Sequence, residues 1–232
     1  MNQLGAQAYA DALAEGSVVK KSPDLARLRA VGGRISSVAQ RDEYAWEFSL
    51  IEAETINAWC LPGGYIAFYT GILPVLRSEA GMAFVMGHEV GHALARHSAE
   101  RMTQSLGVAG AITLVDLFLS GGTELTETQR GLIVGALGLG AEIGVMLPFS
   151  RSHEKEADIV GMMLMAEAGY PPVESIEVWK RMEAVAGKGP PAFLSTHPSN
   201  DARIDNQKEW MPEARKKYQR ASQVGNALQA VW

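Results

Sequence analysis

The apolar positions change period along the chain, and each change marks an element. Leu25, Leu28, Val31, Ile35 and Val38 recur at helical spacing. They follow Ser22-Pro23-Asp24, a hydroxyl cap with proline at the first helical position, so a helix is predicted from residue 23. The period then drops to two. Tyr44, Trp46, Phe48 and Leu50 alternate with Glu47, Ser49 and Ile51, as in a half-buried strand. Ile56 to Cys60 and Tyr65 to Thr70 are two shorter strand-like runs. Leu61-Pro62-Gly63-Gly64 between them is turn chemistry, so the pair predicts a hairpin. From Ser78 onward the pattern is helical almost throughout. A small antiparallel sheet followed by helices predicts an α+β fold, mostly helical, rather than a doubly wound one.

No internal repeat, low-complexity tract or linker interrupts the chain. It reads as one domain over residues 1–232, with N-terminal helices in 1–40, the sheet in 44–70, a run of helices in 78–208 and a C-terminal helix in 211–232. Two stretches are unusually apolar: 106–119, interrupted by Asp116, and 131–149, interrupted by Glu142. The first is too short to span a bilayer, and the second approaches the needed length only by including a carboxylate. Both are expected to be buried helices, with peripheral membrane contact as the alternative. Residues 1–20 lack a basic start followed by an apolar core and a small-residue cleavage site.

Composition narrows the function. The chain of 232 residues carries a net charge of −5, with basic residues only in short pairs, which argues against nucleic-acid binding. Its single cysteine, Cys60, permits no internal disulfide. There are 5 histidines, so their placement is informative.

His88-Glu89-Val90-Gly91-His92 is an H-E-x-x-H pentapeptide inside a predicted helix that Ser78 can cap. Two imidazoles at i and i+4 share one helix face and can bind one zinc ion. Glu89 is rotated about 100° from His88, beside the pair, where it can take a proton from an attacking water. A catalytic zinc site needs a third protein ligand. His97, five residues after His92, points about 140° away and cannot reach the same metal unless the helix breaks first. Ala95 and Ser98 stand where a metzincin needs Gly and His, which excludes that class. His97 is therefore expected to be a supporting residue.

The better source of a third ligand is Ser150 to Asp158. Glu154 and Asp158 fall on or beside the apolar stripe of Ala157, Gly161, Leu164 and Ala168. A buried carboxylate is costly unless paired or metal-bound, so Glu154 is the candidate ligand. Asp158 suits acceptance of the free N–H of a metal-bound imidazole. Glu156 falls on the opposite side and reads as a solvated charge. His153 reads as a rim residue.

Together these residues resemble the zinc metallopeptidase family of HtpX and the CaaX prenyl-protein peptidases, in its bacterial envelope branch that includes BepA and LoiP. The H-E-x-x-H of His88 to His92 matches, as does S-R-x-x-E-x-x-A-D in Ser150 to Asp158. Asn57-Ala58-Trp59-Cys60-Leu61-Pro62-Gly63-Gly64 resembles the family's N-A-x-x-x-P-G-G hairpin, and Thr196-His197-Pro198 with Arg203 its late H-P segment. The resemblance implies a gluzincin-like fold with one zinc ion on His88, His92 and Glu154, and Glu89 as base. His197 and Arg203 become candidates to stabilise the oxyanion, and His197 alternatively to fill the open metal position at rest. It also implies polypeptide substrates, unfolded or derived from membrane proteins, and a location in the bacterial periplasm or cell envelope, with the cytoplasm still open. The strand around Tyr65 to Tyr69 is a candidate edge for an extended substrate. The rival expectation is an assembly or binding factor with a structural zinc, since His197 can complete a closed four-ligand site.

Overall fold

The computed structural model describes residues 2–97, 100, 149–186, 191–198 and 201–229. Helix α1 (Asn2–Glu15) is followed by α2 (Pro23–Ala39), where the Ser22 hydroxyl accepts from the Leu25 N–H at 3.0 Å, as its sequence predicts. Strands β1 (Glu47–Ile51), β2 (Ala58–Leu61) and β3 (Tyr65–Tyr69) come next. After a short helical turn, α3 (Leu73–Leu76) leads into α4 (Glu79–Leu94), capped by the Ser78 hydroxyl. Beyond it lie α5 (Arg151–Glu167), α6 (Glu174–Ala186), α7 (Ala192–Thr196) and α8 (Asp201–Gln229).

The α+β reading holds, but the sheet is mixed and not antiparallel throughout. β2 and β3 form the expected antiparallel hairpin, with Leu61 opposite Tyr65, while β1 pairs in parallel with β3 in the order β1-β3-β2. The cause is the connection of residues 52–57. It crosses over the end of β3, where Gly71 N–H donates to the Ala53 carbonyl at 2.8 Å and Thr70 Oγ1 bonds the Ala53 backbone. The chain therefore enters β2 on the far side, and the hairpin returns β3 into the gap. A pattern of alternation carries no information on that insertion. Being central, β3 is paired on both sides and offers no free edge to a substrate.

The second face of β1 is also covered, so the strand is not half-exposed. Ile51 packs with Trp59, Leu61 and Ala67 beneath Tyr9 of α1, and the Tyr9 hydroxyl meets Ser49 Oγ at 2.8 Å. The predicted break near residue 210 is absent. α8 runs through Pro212, because Met211 and Ala214 pack on Met162 and Ala166 of α5.

Helix α4 is the axis of the fold: every residue from Gly81 to Ala93 is buried. It crosses α5 at very short range through small residues. A Cβ on Gly161 would lie 2.6 Å from the His88 nitrogen, and one on Gly87 would lie 2.7 Å from the Gly161 carbonyl oxygen. That crossing fixes how far the side chains of α5 stand from those of α4. Among the described residues, no helix is long and apolar enough to cross a membrane. The apolar stretches 106–119 and 131–148 lie outside the described residues.

Candidate metal centre

His88 and His92 lie one turn apart on α4, and Glu154 reaches them from the first turn of α5. His197 joins from the end of the short helix α7. The four are buried, and one donor atom from each lies within 4.8 Å of every other. His88 Nε2 is 3.1 Å from His92 Nε2 and 3.1 Å from His197 Nδ1. Glu154 Oε1 is 3.0 Å from His197 Nδ1 and 3.3 Å from His92 Nε2, and Glu154 Oε2 is 3.7 Å from His88 Nε2.

These spacings fit a metal. Ligand atoms about 2.0–2.2 Å from a zinc ion stand about 3.3–3.6 Å apart at the corners of a tetrahedron. The donor chemistry agrees. His88 Nδ1 is 3.1 Å from Asp158 Oδ1, so the neutral ring with its proton on that nitrogen leaves Nε2 a bare lone pair. Lone pairs from several rings and a carboxylate converging in a dry site call for a cation.

The local electrostatics favour such a cluster. Burial pushes Glu154 up, but the charges of His197 and Arg203 outweigh it and hold the carboxyl well below the usual range. Asp158 is likewise lowered against its own burial, chiefly by Arg203. Burial drives His92 well below the ordinary imidazole value, which leaves it neutral. Burial also opposes charge on His88, yet the Asp158 hydrogen bond and the Glu154 charge raise it.

Glu89 lies beside the cluster, with Oε1 3.4 Å from His197 Nε2. Arg203 sits behind it. Its Nε and Nη2 grip Asp158 at 2.7 Å each, its Nη1 is 2.5 Å from Glu154 Oε2, and it also donates to the His197 and Pro198 carbonyls. The guanidinium lies 3.7 Å from the centre of the Trp179 ring. Its donors are thus committed to the carboxylates and to the H-P segment.

Several participants escape the sequence pattern. Phe149 stacks on His92 with ring centres 3.9 Å apart, and Phe193 stacks on His197 at 4.5 Å. No spacing rule links these distant aromatics to the metal motif. His97 arrives by a helix break: α4 ends at Leu94 with Ala95 as its C-cap, and Arg96 takes a left-handed φ of 60°. The break turns His97 behind His92, with the two Nδ1 atoms 3.1 Å apart, and away from the metal position. Burial and the neighbouring His153 lower His97. Glu156, read as a solvated charge, has an exposed side chain but reaches His97 Nε2 at 3.3 Å.

Comparison with known proteins agrees with this geometry. Residues 23–211 match the model of peptidase family M48. The mitochondrial metalloendopeptidase OMA1 of Schizosaccharomyces pombe is 38% identical over 186 residues, 79% of this chain and 52% of the relative. The OMA1 of Saccharomyces cerevisiae is 36% identical over 195 residues, covering 80% and 53%. The beta-barrel assembly-enhancing protease of Escherichia coli is 27% identical over 188 residues, covering 76% of this chain and 37% of the relative. The chain spans about half the length of the OMA1 relatives and less of the bacterial one. The family match covers most of the sequence and all three segments that supply the buried donors, and the chain belongs to peptidase family M48.

Proposed function

We propose that the chain is a zinc-dependent endopeptidase, with His88, His92 and Glu154 holding the metal and Glu89 acting as general base. The observation that carries the reading is the buried tetrahedron of donors with a carboxylate beside it that is not one of its corners. Bound there, zinc supplies a Lewis acid that polarises a carbonyl and acidifies water. Glu89 takes the proton from the attacking water at a carboxylate oxygen and passes it to the leaving amine. Asp158 holds the His88 ring through Nδ1. Arg203 is assigned the positioning of Glu154 and Asp158, because its donors are already engaged by them.

His197 fills the fourth corner, and a site closed by four protein donors is a resting or structural site. This geometry supports a second reading, an assembly or binding factor with an inactive zinc. Glu89 favours the peptidase, since a purely structural site has no use for a base at that place. In the peptidase reading His197 leaves the fourth corner when substrate enters. The substrates proposed are unfolded or misassembled proteins of a bacterial envelope. Support comes from the family resemblance and from the bacterial relatives' name as beta-barrel assembly-enhancing proteases. The mitochondrial name of the OMA1 relatives makes the compartment part of the proposal.

The test is Glu89→Gln, with zinc content and cleavage of an unfolded protein measured together. Zinc retained with cleavage lost is the expected outcome, and unchanged cleavage overturns the assignment. His197→Ala separates the two roles of the fourth donor: faster cleavage marks an inhibitory ligand, slower cleavage a stabiliser of the oxyanion. A zinc-loaded wild type and His197→Ala that both fail to cleave favour the binding factor.

A further inference from the structure

We infer that Glu156 and His97 act as positioning residues that fix the tautomer in which His92 offers its Nε2 lone pair to the metal. The inference rests on the zinc reading above. Three distances carry it: Glu156 Oε2 to His97 Nε2 at 3.3 Å, His97 Nδ1 to His92 Nδ1 at 3.1 Å, and His92 Nε2 to the other metal donors at 3.1–3.3 Å.

Facing nitrogens of two imidazoles hydrogen-bond only when one of them holds the proton. Glu156 is a carboxylate and can only accept, so the proton of neutral His97 sits on Nε2 and its Nδ1 is bare. His92 must then donate from Nδ1, which leaves its Nε2 without a proton and aimed at the metal. The reverse order fails. A proton on His97 Nδ1 would force the His92 proton onto Nε2, where it would block coordination. The carboxylate therefore acts on the metal ligand through one intervening imidazole. On the other ligand, Asp158 performs the same task directly, with Oδ1 3.1 Å from His88 Nδ1.

The surroundings hold His97 to this task. Its side chain is 4% exposed, and its ring is stacked on His153 with centres 4.1 Å apart and planes 16° apart. His153 is in turn paired with Glu100 at 3.4 Å. The left-handed Arg96 delivers His97 to the back of His92. Glu156, with its side chain 58% exposed, links this buried chain to solvent.

The test is zinc affinity by competition with a chromogenic chelator, on the full chain, with urea unfolding of the metal-free protein run alongside. His97→Ala is expected to weaken zinc binding about 10- to 100-fold. His97→Asn places a carbonyl oxygen near the position of Nδ1 and should restore most of the loss, because only an acceptor is needed there. Glu156→Lys replaces the acceptor with a donor on an exposed side chain. It should weaken zinc binding with little change in metal-free stability, while Glu156→Gln should do so less. In the zinc-loaded protein, the ¹⁵N resonances of His92 should show the proton on Nδ1. Wild-type affinity in both His97→Ala and Glu156→Lys overturns the inference, as does an His97→Asn variant as weak as His97→Ala. A wild-type chain that binds no zinc overturns the metal reading itself, and this inference with it.

Discussion

The crossing of α4 and α5 makes a demand that one methyl group can test. In Gly161→Ala, the added Cβ would lie 2.6 Å from the His88 nitrogen and 2.8 Å from both Gly87 C and His88 Cα. All three are backbone atoms and none can rotate away. Ordinary contact starts near 3.4 Å, so the helices must part by about 0.8 Å. Overpacking of this kind costs about 1–3 kcal/mol, against which alanine recovers about 1 kcal/mol of helix propensity. A net loss of up to about 2 kcal/mol is expected in urea unfolding of the metal-free chain. The effect on the metal should be larger in proportion. Metal–ligand distances tolerate only about 0.2 Å, and Glu154 rides on the helix that must retreat. Zinc affinity by chelator competition should fall more than tenfold. Gly33→Ala is the matched control. Its Cβ would meet nothing within 4 Å on the exposed side of α2, so it should stabilise by about 0.5–1 kcal/mol and leave zinc binding unchanged. If Gly161→Ala proves as stable as Gly33→Ala, or keeps wild-type zinc affinity, the close crossing does not set the site.

Two further predictions follow from buried groups. Arg203→Met removes the cation shared by Asp158 and Glu154, so metal-free stability should fall by about 3–5 kcal/mol in urea unfolding, with part of the loss recovered on zinc loading. Wild-type stability with lost cleavage would instead return Arg203 to an oxyanion role. Cys60 is buried, and burial first, then the Glu89 charge, raises its thiol well above its ordinary 9.0. A thiol reagent at pH 8 should therefore modify it slowly in the folded chain and fully in urea, and equal rates would refute the reading.

Local chemistry was legible in the sequence wherever a single helix determines it. The Ser22 and Ser78 caps, the shared face of His88 and His92, and the buried phase of Glu154 and Asp158 follow from helical geometry alone. Features set by two elements at once were not. The antiparallel expectation failed because the position of β1 depends on where residues 52–57 cross, and alternation says nothing of that. Glu156 was correctly placed on the outer side of α5. Its partner came from a left-handed residue after α4, and Arg96 carries no Gly or Asn to announce one. The parts of Phe149 and Phe193 were hidden for a similar reason: ring stacking across elements leaves no period.

The same contrast separates the metal donors by how they are held. His88, His92 and Glu154 sit on two long helices whose backbones touch, so moving any of them means prising apart the core of the fold. His197 ends a helix of 5 residues. It is retained by an N–H bond to the Phe193 carbonyl at 2.9 Å, by its stack on Phe193, by the Arg203 contact to its own carbonyl, and by its ring contacts to Glu154 at 3.0 Å and Glu89 at 3.4 Å. Phe149 is tied to the same segment, its N–H donating to the Thr196 carbonyl at 3.0 Å. Three donors thus sit on the two long helices that cross in the core, and one at the end of a short helix. In the proposed peptidase reading, that division lets three donors keep the metal while the fourth gives way to a substrate.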